Sequence, residues 1–395
     1  MGEEPVARLH EGTARGPEEG PEEGPEEGEA AAGITVGGEE GEREGGDEDI
    51  APGDAVLVEV LSLREAIERK RPWHLSNPQV QSFFARAGTD GEGVAVAVLD
   101  TGVDATHPDL AHVEAFDMTG AGDPGDREGH GTHVCGIVGG RGATVRGIAP
   151  GARVLSYKVF GANRHMTGRY ILSSLDDILS GRRGRVDVVN MSLGWPVVTG
   201  GAGRLVADGI REQIRERLLR LAADGVLCVC AAGNEFDHTR GDAPRFGTVN
   251  YPAHFNSTIA VGSVDKSGTR SDFSSTGPKL TVMAPGGGII STYPAALAPP
   301  GAPAPCYSVM SGTSMASPFM AGVLALVLAA CDKRGNQRPG AMQVLWHLQR
   351  SARKMETPGY DFCTGYGCVD PCALLESIEG TQRPGAPRGA RGRRP

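Results

Sequence analysis

Residues 93–100 read GVAVAVLD, an apolar run of strand length that ends in a carboxylate. Comparable runs rich in Val, Ile and Ala recur along the chain, within residues 145–160, 186–194, 225–234, 257–265 and 280–286. These runs are continuously apolar and do not alternate with polar residues, which is typical of strands in a parallel sheet covered on both faces. The sequence therefore predicts that residues 93–100 form one strand of such a sheet.

Helical patterns lie between the predicted strands. Residues 211–224, REQIRERLLRLAAD, place Ile214, Leu218 and Leu221 on one helical face. Residues 314–332, SMASPFMAGVLALVLAACD, are apolar on all sides, which predicts a buried central helix. The alternation of strands and helices indicates an α/β fold: a doubly wound, mostly parallel sheet with helices on both faces. In such sheets the functional groups gather at the carboxyl ends of the strands.

The charge of the chain is concentrated at its two ends. Residues 1–50 hold 17 acidic and 3 basic side chains and repeat the tetrapeptide PEEG three times, a composition that cannot bury enough apolar surface to fold. The last fifteen residues hold five arginines and no acid. We expect four segments: a disordered acidic tail at 1–50, a linker or minimal pro-segment at 51–71, the folded domain at 72–378 and a disordered basic tail at 379–395.

Charge, apolar content and cysteine content exclude several classes of protein. The acidic tail is interpreted as a solvating segment, or alternatively as an arm that binds a partner. The basic tail lacks interleaved aromatic residues, so no nucleic-acid partner is expected. No secretory signal is found, and no apolar stretch reaches the ~18 residues of a membrane span. We therefore expect no membrane span and a cytoplasmic location, with secretion left open. The eight cysteines are too few for a disulfide scaffold.

Four residues of complementary chemistry lie at predicted strand ends and helix starts. Asp100 ends the first strand, and His130 lies between two glycines in EGHGTHVCG. Asn234 is expected to end the strand LCVCAAGN, and Ser314 lies in the first turn of the buried helix. A serine hydroxyl becomes nucleophilic when an imidazole removes its proton, and a carboxylate orients that imidazole. An amide can donate to the oxyanion of a tetrahedral intermediate, so the set is suited to acyl transfer.

The blocks around these residues resemble, in order, the signature blocks of the subtilisin-like serine proteases, or subtilases. They are AVLDTGVDATHPDL (97–110), GHGTHVCG (129–136), NMSLG (190–194), AAGNE (231–235) and SGTSMASP (311–318). The resemblance covers residues 72–377, in which the late YGCVDPCALL looks like the closing turn and last helix of the family. It implies the subtilisin-like fold and a serine endopeptidase that binds polypeptides in extended form and needs no cofactor for its chemistry.

Carried over to this sequence, the resemblance implies a role for each residue. Asp100 would orient the imidazole, His130 would be the general base and acid, Ser314 the nucleophile and Asn234 the oxyanion donor. His133, in the same HGTH string, is not the base in this family. The implied substrate-binding residues form two groups, one pairing with the extended substrate and one lining the pocket for the residue before the scissile bond: Ser192, Leu193 and Gly194, then Ala231, Ala232, Gly233 and Asn250.

Further expectations rest on departures from the family pattern. Asp109 matches a calcium ligand of the family, but the loop after the His helix, GGRGATVRG, supplies no Asn or Asp. A calcium ion is therefore not expected there, while other weak calcium sites remain open. Asn250 should shorten the pocket or make it more polar, and Glu235, at the rim, should disfavour acidic residues. We therefore expect medium-sized or polar residues to be preferred to large aromatic ones. The alternatives to a general endopeptidase are a dedicated peptide-maturation protease or transpeptidase, and a binding protein that keeps the fold without turnover.

Overall fold

The computed structural model describes residues 56–62, 72–143, 145–161, 168–195, 204–236, 249–302, 304–355 and 357–381, with the backbone alone for 56–62 and 204–208. The expected acidic tail, and residues 382–395 of the expected basic tail, lie outside these ranges. The strands within them are β1 (Val56–Ser62), β2 (Ala95–Asp100), β3 (Glu114–Asp117), β4 (Arg153–Lys158), β5 (Val188–Met191), β6 (Leu227–Ala231), β7 (Thr258–Val264), β8 (Val282–Pro285), β9 (Ile289–Tyr293) and β10 (Cys306–Ser311). The α-helices are α1 (Trp73–Ser76), α2 (Pro78–Ala87), α3 (His130–Gly139), α4 (Gly168–Ser180), α5 (Arg204–Ala223), α6 (Thr313–Lys333), α7 (Ala341–Ser351) and α8 (Pro371–Thr381).

Seven strands form one parallel sheet in the order β3-β4-β2-β5-β6-β7-β8. Each neighbouring pair is parallel, and β2 lies between β4 and β5 with Asp100 opposite Lys158. Because the six predicted runs all became strands of this sheet, the predicted doubly wound α/β fold is confirmed. The strand before Asn234 ends at Ala231, so Asn234 lies three residues into the following loop and does not itself end the strand.

The sheet is covered on both faces, and β2 shows how. Val96 and Val98 belong to the core that also contains α3, α6 and α8, whereas Ala97 and Leu99 belong to the core that contains α4 and α5. Side chains alternate between the two faces of a strand, so a strand buried on both faces must be apolar throughout. This explains why the run GVAVAVLD does not alternate with polar residues.

The helix α6 runs through the centre of the first core. Every residue from Thr313 to Cys331 is buried. By length and composition this helix could cross a membrane, so the expectation that no apolar stretch is long enough was wrong, but its apolar surface is wholly buried inside the protein. The predicted buried central helix is thus confirmed. The last helix, α8, continues to Thr381, past the expected domain end at residue 378.

A second, antiparallel sheet of three strands has the order β1-β10-β9. β10 runs toward α6 and ends three residues before Ser314. β1 pairs with β10 in the opposite direction, so that Val56 lies opposite Ser311 and Ser62 lies opposite Cys306. The N-terminal end of β1 therefore lies at the end of β10 that is nearest to the helix carrying Ser314.

Candidate active site

The structure brings Asp100 and His130 into direct contact. Asp100 is the last residue of β2 and is fully buried, and its Oδ1 accepts a hydrogen bond of 2.7 Å from Nδ1 of His130. The same oxygen accepts the backbone N–H of Thr101 at 2.8 Å. A carboxylate removed from water must be compensated by such donors. Because Nδ1 donates to Asp100, Nε2 is the ring nitrogen left for proton transfer, and it has no hydrogen-bond partner among the described residues.

Glycines on both sides of His130 permit this approach. Gly129 has φ of +87°, and a Cβ there would lie 2.3 Å from Cε2 of Tyr293. A Cβ on Gly131 would lie 2.2 Å from the carbonyl oxygen of Gly102, in the loop that follows β2. Real Cβ atoms do not approach that closely, so both positions need glycine for His130 to begin α3 against the end of β2.

The electrostatic surroundings of His130 favour its charged form. Burial lowers the pKa of the imidazole, but the charge of Asp100 and its hydrogen bond, with smaller contributions from Asp126 and Glu128, raise it further than burial lowers it. The net result is a pKa above the ordinary value. The site therefore stabilises the imidazolium that forms when the ring takes up a proton.

His133, on the same helix, has an environment different from that of His130. Its Nε2 donates to the carbonyl oxygens of Ile289, at 3.1 Å, and of Ser308, at 3.2 Å. Burial lowers its pKa to about 3, so the ring stays neutral. It therefore serves to join α3 to the β9–β10 pair.

Ser314 is the second residue of α6 and is fully buried. Its Oγ donates to the carbonyl oxygen of Ser192 at 3.3 Å, which places it beside the segment that follows β5. Pro318, four residues later, has no N–H to donate to the carbonyl of Ser314. The hydroxyl of Ser192 takes that place, donating to the same carbonyl at 2.9 Å. The structure thus brings Ser192 and Ser314 together through two hydrogen bonds.

Asn234 lies beside the same helix start. Its side-chain Oδ1 accepts from the backbone N–H of Thr313 at 2.9 Å and from the hydroxyl of Thr313 at 3.1 Å. The hydroxyl of Thr313 in turn accepts the N–H of Gly233 at 3.1 Å. Because the carbonyl end of the amide is used by Thr313, the NH2 end is the one that can donate to another group. Thr313 was missed in the sequence, since a threonine at the first position of a helix is a common residue without a distinguishing pattern.

The residues expected to form the substrate pocket also converge. The backbone N–H of Asn250 donates to the carbonyl of Ala232 at 2.9 Å. A Cβ on Gly194 would lie 3.1 Å from Cβ of Asn250, and a Cβ on Gly233 would lie 2.9 Å from its Nδ2. Asn250 therefore lies close to both the segment 192–194 and the segment 231–233.

Glu235 contacts Asn250 directly. Its Oε1 accepts from Nδ2 of Asn250 at 2.6 Å, and its Oε2 accepts from the hydroxyl of Ser275 at 2.9 Å. A Cβ on Gly233 would lie 2.3 Å from Oε2, which places the carboxylate directly against that wall. No pattern in the sequence indicates that Ser275 contacts Glu235, because Ser275 lies forty residues away in an ordinary serine-rich loop.

The residues around Asp109 do not fit the calcium ion that the resemblance raised. Oδ2 of Asp109 accepts the hydroxyl of Tyr307 at 2.8 Å, and Gly142 lies so close that a Cβ there would be 2.3 Å from the same oxygen. The described part of the loop after α3 offers no Asn or Asp oxygen. Elsewhere in the described ranges, no group of three or more His, Cys, Asp or Glu side chains is arranged to hold a metal.

A parallel sheet covered by helices, with a buried Asp–His pair and a serine in the first turn of a buried helix at its carboxyl edge, defines an α/β serine hydrolase. The model of the subtilase family matches residues 91–367. The chain belongs to the subtilase family, and it is accordingly a serine protease.

Relatives with curated names agree with this assignment. Subtilisin DY from Bacillus licheniformis is 36% identical over 245 residues, which cover 61% of this chain and 79% of that protein. The major intracellular serine protease of Bacillus subtilis (strain 168) is 35% identical over 274 residues, or 67% of this chain and 77% of the relative. Subtilisin E, from the same strain, is 36% identical over 263 residues, which are 65% of this chain and 61% of the relative.

Proposed function

We propose that the protein is an endopeptidase that cleaves peptide bonds through an acyl-enzyme intermediate. The buried hydrogen bond of 2.7 Å between Asp100 and His130 is the observation that carries this proposal. It fixes Nδ1 as the protonated nitrogen and leaves Nε2 to remove the proton of Ser314. Ser314 Oγ then attacks the carbonyl carbon of the scissile bond, and the proton passes from Nε2 to the leaving amine. Water then attacks the acyl carbon while Nε2 removes its proton. The bond to Oγ breaks, and the proton passes from Nε2 to Ser314.

Asn234 is proposed as the donor to the oxyanion. The amide is held by its oxygen on Thr313, so its NH2 group is preorganised at the helix start that carries Ser314. The dipole of α6 adds to this field, because a helix N-terminus favours negative charge. Stabilising charge that develops only in the transition state is typically the largest contribution to catalysis of acyl transfer.

The substrate is proposed to bind in extended form. Ser192, Leu193 and Gly194 follow β5, and a peptide can pair with that backbone as an added strand. The residue before the scissile bond would enter the pocket between this segment and residues 231–233. Asn250 and Glu235 limit the depth of the pocket and add charge, which supports a preference for medium-sized or polar residues and the rejection of acidic ones.

Residues 51–71 are proposed to act as a minimal pro-segment that docks through β1. The support is the antiparallel pairing of β1 with β10, which places Val56 opposite Ser311 at the end nearest the catalytic helix. A docked β1 would obstruct the part of a long substrate chain that extends past residues 192–194 and pairs with β10.

Hydrolysis of peptides by the purified chain tests the proposal against a non-catalytic binding role. Ser314→Ala and His130→Ala should each lower kcat by about 10⁶-fold, the order of magnitude seen when either residue is removed from subtilisin. A folded wild-type protein without turnover, or a Ser314→Ala variant that retains it, would contradict the proposal. Sequencing of the products formed from a complex peptide mixture then separates a general endopeptidase from a dedicated maturation protease or transpeptidase.

A further inference from the structure

Asp126 is a buried carboxylate for which the proposed chemistry has no use. It lies in the loop before α3, four residues ahead of His130, and is 9% exposed. It has no Lys or Arg within salt-bridge distance in the described ranges. A buried charge of this kind is costly unless several donors satisfy it, so the way in which it is held indicates what it does.

Five hydrogen bonds converge on this carboxylate. Oδ1 accepts the hydroxyl of Thr101 at 2.8 Å and the backbone N–H groups of Glu128 and Gly129, both at 2.9 Å. Oδ2 accepts the backbone N–H of Thr132 at 2.8 Å and its hydroxyl at 2.6 Å. All five partners are donors, so the site suits a carboxylate, which only accepts, and does not suit an amide, which would turn an NH2 group toward some of them.

The carboxylate supplies a helix cap that Gly129 cannot supply. Gly129 is the N-cap residue of α3 and makes no side-chain cap hydrogen bond. It must remain glycine because of its positive φ and its contact with Tyr293. Asp126 instead accepts the N–H of Thr132, the third residue of the helix, which is the bond that an N-cap side chain normally makes. The helix start that carries His130 is therefore fixed from outside the helix.

Two threonine hydroxyls extend this network to the loop after Asp100. The hydroxyl of Thr101 donates to Asp126 and accepts the N–H of Gly131 at 2.8 Å. The hydroxyl of Thr132 donates to Asp126 and accepts the N–H of Asp104 at 3.0 Å. The chain segment next to Asp100 and the helix turn that carries His130 are thus joined to each other through one carboxylate.

We propose that Asp126 is a positioning residue for the Asp100–His130 pair, holding the two segments that carry it in the geometry that catalysis needs. This inference rests on the proposed function, because it assigns His130 the role of base. Asp126 touches neither the substrate nor the reacting atoms, and it acts through Thr101, Gly129 and Thr132. Burial lowers the pKa of His130 and Asp100 raises it, and the negative charge of Asp126 makes a smaller contribution to the rise.

Asp126→Asn, with Asp187→Asn as a matched control, tests the inference. Asp187 is another buried aspartate, which accepts from the N–H of Ala95 and from Arg185 and Arg338 near the opposite end of β2. Asp126→Asn should lower kcat by about 10–100-fold with KM changed by less than about threefold, because a small displacement of the base costs rate and not binding. Asp187→Asn should lower the melting temperature and leave kcat within about twofold of wild type.

The pH profile gives a readout that a loss of stability would not move. The titratable groups that surround His130 are Asp100 at the end of β2, Asp126 and Glu128 in the preceding loop, His133 on α3 and Tyr293 on β9. Loss of the charge of Asp126 should shift the acid limb of kcat/KM to lower pH, whereas Asp187→Asn should leave it in place. If Asp126→Asn keeps the wild-type kcat and pH profile, and loses only stability as the control does, the inference is wrong.

A second pair of variants decides the question if Asp126→Asn does not fold. Thr101→Ala removes the hydroxyl between Asp126 and Gly131, and Thr101→Ser keeps it. The inference predicts that kcat falls by about tenfold in the alanine variant and is restored in the serine variant. Equal activity of both variants would overturn it. A wild-type protein without activity would instead contradict the proposed function, so the two failures are distinguishable.

Discussion

At the scale of single residues, the site depends on glycines that let neighbouring segments of the chain approach each other closely. Gly129 and Gly131 let the turn at His130 lie against Tyr293 and Gly102, and any side chain at either position would push the imidazole away from Asp100. The carbonyl of Ser314, which Pro318 leaves without an N–H, is satisfied by the hydroxyl of Ser192. Glycine, proline and serine residues that look ordinary in the sequence therefore fix the positions of His130 and Ser314.

The pocket for the residue before the scissile bond yields a prediction at this scale. Asn250→Gly removes the side chain between segments 192–194 and 231–233, and should raise kcat/KM for Phe relative to Gln by about tenfold, since a pocket discriminates roughly tenfold or more per methylene. Glu235→Gln should relieve the rejection of an acidic residue by a similar factor. The measurement is kcat/KM on peptides that differ only in the residue before the scissile bond.

The substrate panel contains its own control. Neither substitution should change kcat/KM for a Leu or Met substrate by more than about threefold, because these side chains reach neither the extra depth nor the charge. A wild-type preference for Phe or Tyr of tenfold or more over Leu, Gln or Met would contradict the proposed shape of the pocket.

The residues that sequence reasoning missed share a physical reason. Asp100, His130 and Ser314 lie in short blocks in which the chemistry is local, so their roles followed from the resemblance. Asp126 was not found, because an acid among Arg and Glu in a loop has the pattern of a solvated surface. Four of its five donors lie within six residues of it, in the turn that leads into α3, and the fifth, the hydroxyl of Thr101, comes from a segment that only the folded chain brings near. Contacts of this kind depend on tertiary structure and leave no periodic signal.

At the scale of elements, the strands were predictable from the sequence, but the burial of α6 and the strand that pairs with β1 were not fully predictable. A strand buried on both faces must be continuously apolar, and β2 is the clearest case, since its alternate residues enter two different cores. The same apolarity made α6 hard to judge from sequence, because burial within a core and burial in a membrane need the same composition. The antiparallel pairing of β1 with β10 joins residues about 250 positions apart, and no local pattern specified that partner.

Removing β1 tests its proposed docking role. A chain without residues 1–62 should cleave long peptides with kcat/KM raised by about tenfold or more, because a tethered strand competes at millimolar effective concentration. A chain without residues 1–50 keeps β1 and serves as the control, and it should behave as the full chain does. Equal rates for all three proteins would contradict an inhibitory role, and circular dichroism of each protein verifies that the fold is retained.

At the scale of the whole molecule, two buried histidines make stability depend on pH. His74, on α1, and His133, on α3, are 2% and 0% exposed. Burial lowers the pKa of each to about 3. The folded protein therefore keeps both rings neutral, whereas the unfolded chain takes up a proton on each below about pH 6.5.

The free energy of unfolding should consequently fall as the pH is lowered from 6.5 toward 4.5. Each histidine contributes at most about 1.4 kcal/mol per pH unit in this range. The raised pKa of His130 does not oppose this fall, since its stabilising effect is fully present below pH 6.5 and is lost only as the pH rises through its folded value.

Urea denaturation between pH 4.5 and 7 measures this dependence. His74→Leu should reduce the slope by up to about 1.4 kcal/mol per pH unit, because one of the protons taken up on unfolding disappears. Burial also lowers the pKa of His107, His112, His254 and His347, so part of the slope remains in the variant. A free energy of unfolding that does not change across this range would show that the two rings are not held neutral in the folded protein.

The identity of the nucleophile is the central claim, and labelling with a fluorophosphonate tests it most directly. Wild type, Ser314→Ala and Ser311→Ala would be treated side by side, and the modified peptide identified by mass spectrometry. Ser311 lies three residues earlier and accepts the N–H of Gly288, so it is a matched serine with a structural role. The account predicts one adduct on Ser314 in wild type and in Ser311→Ala, and none in Ser314→Ala. An adduct on another serine, or none in the folded wild-type protein, would contradict it.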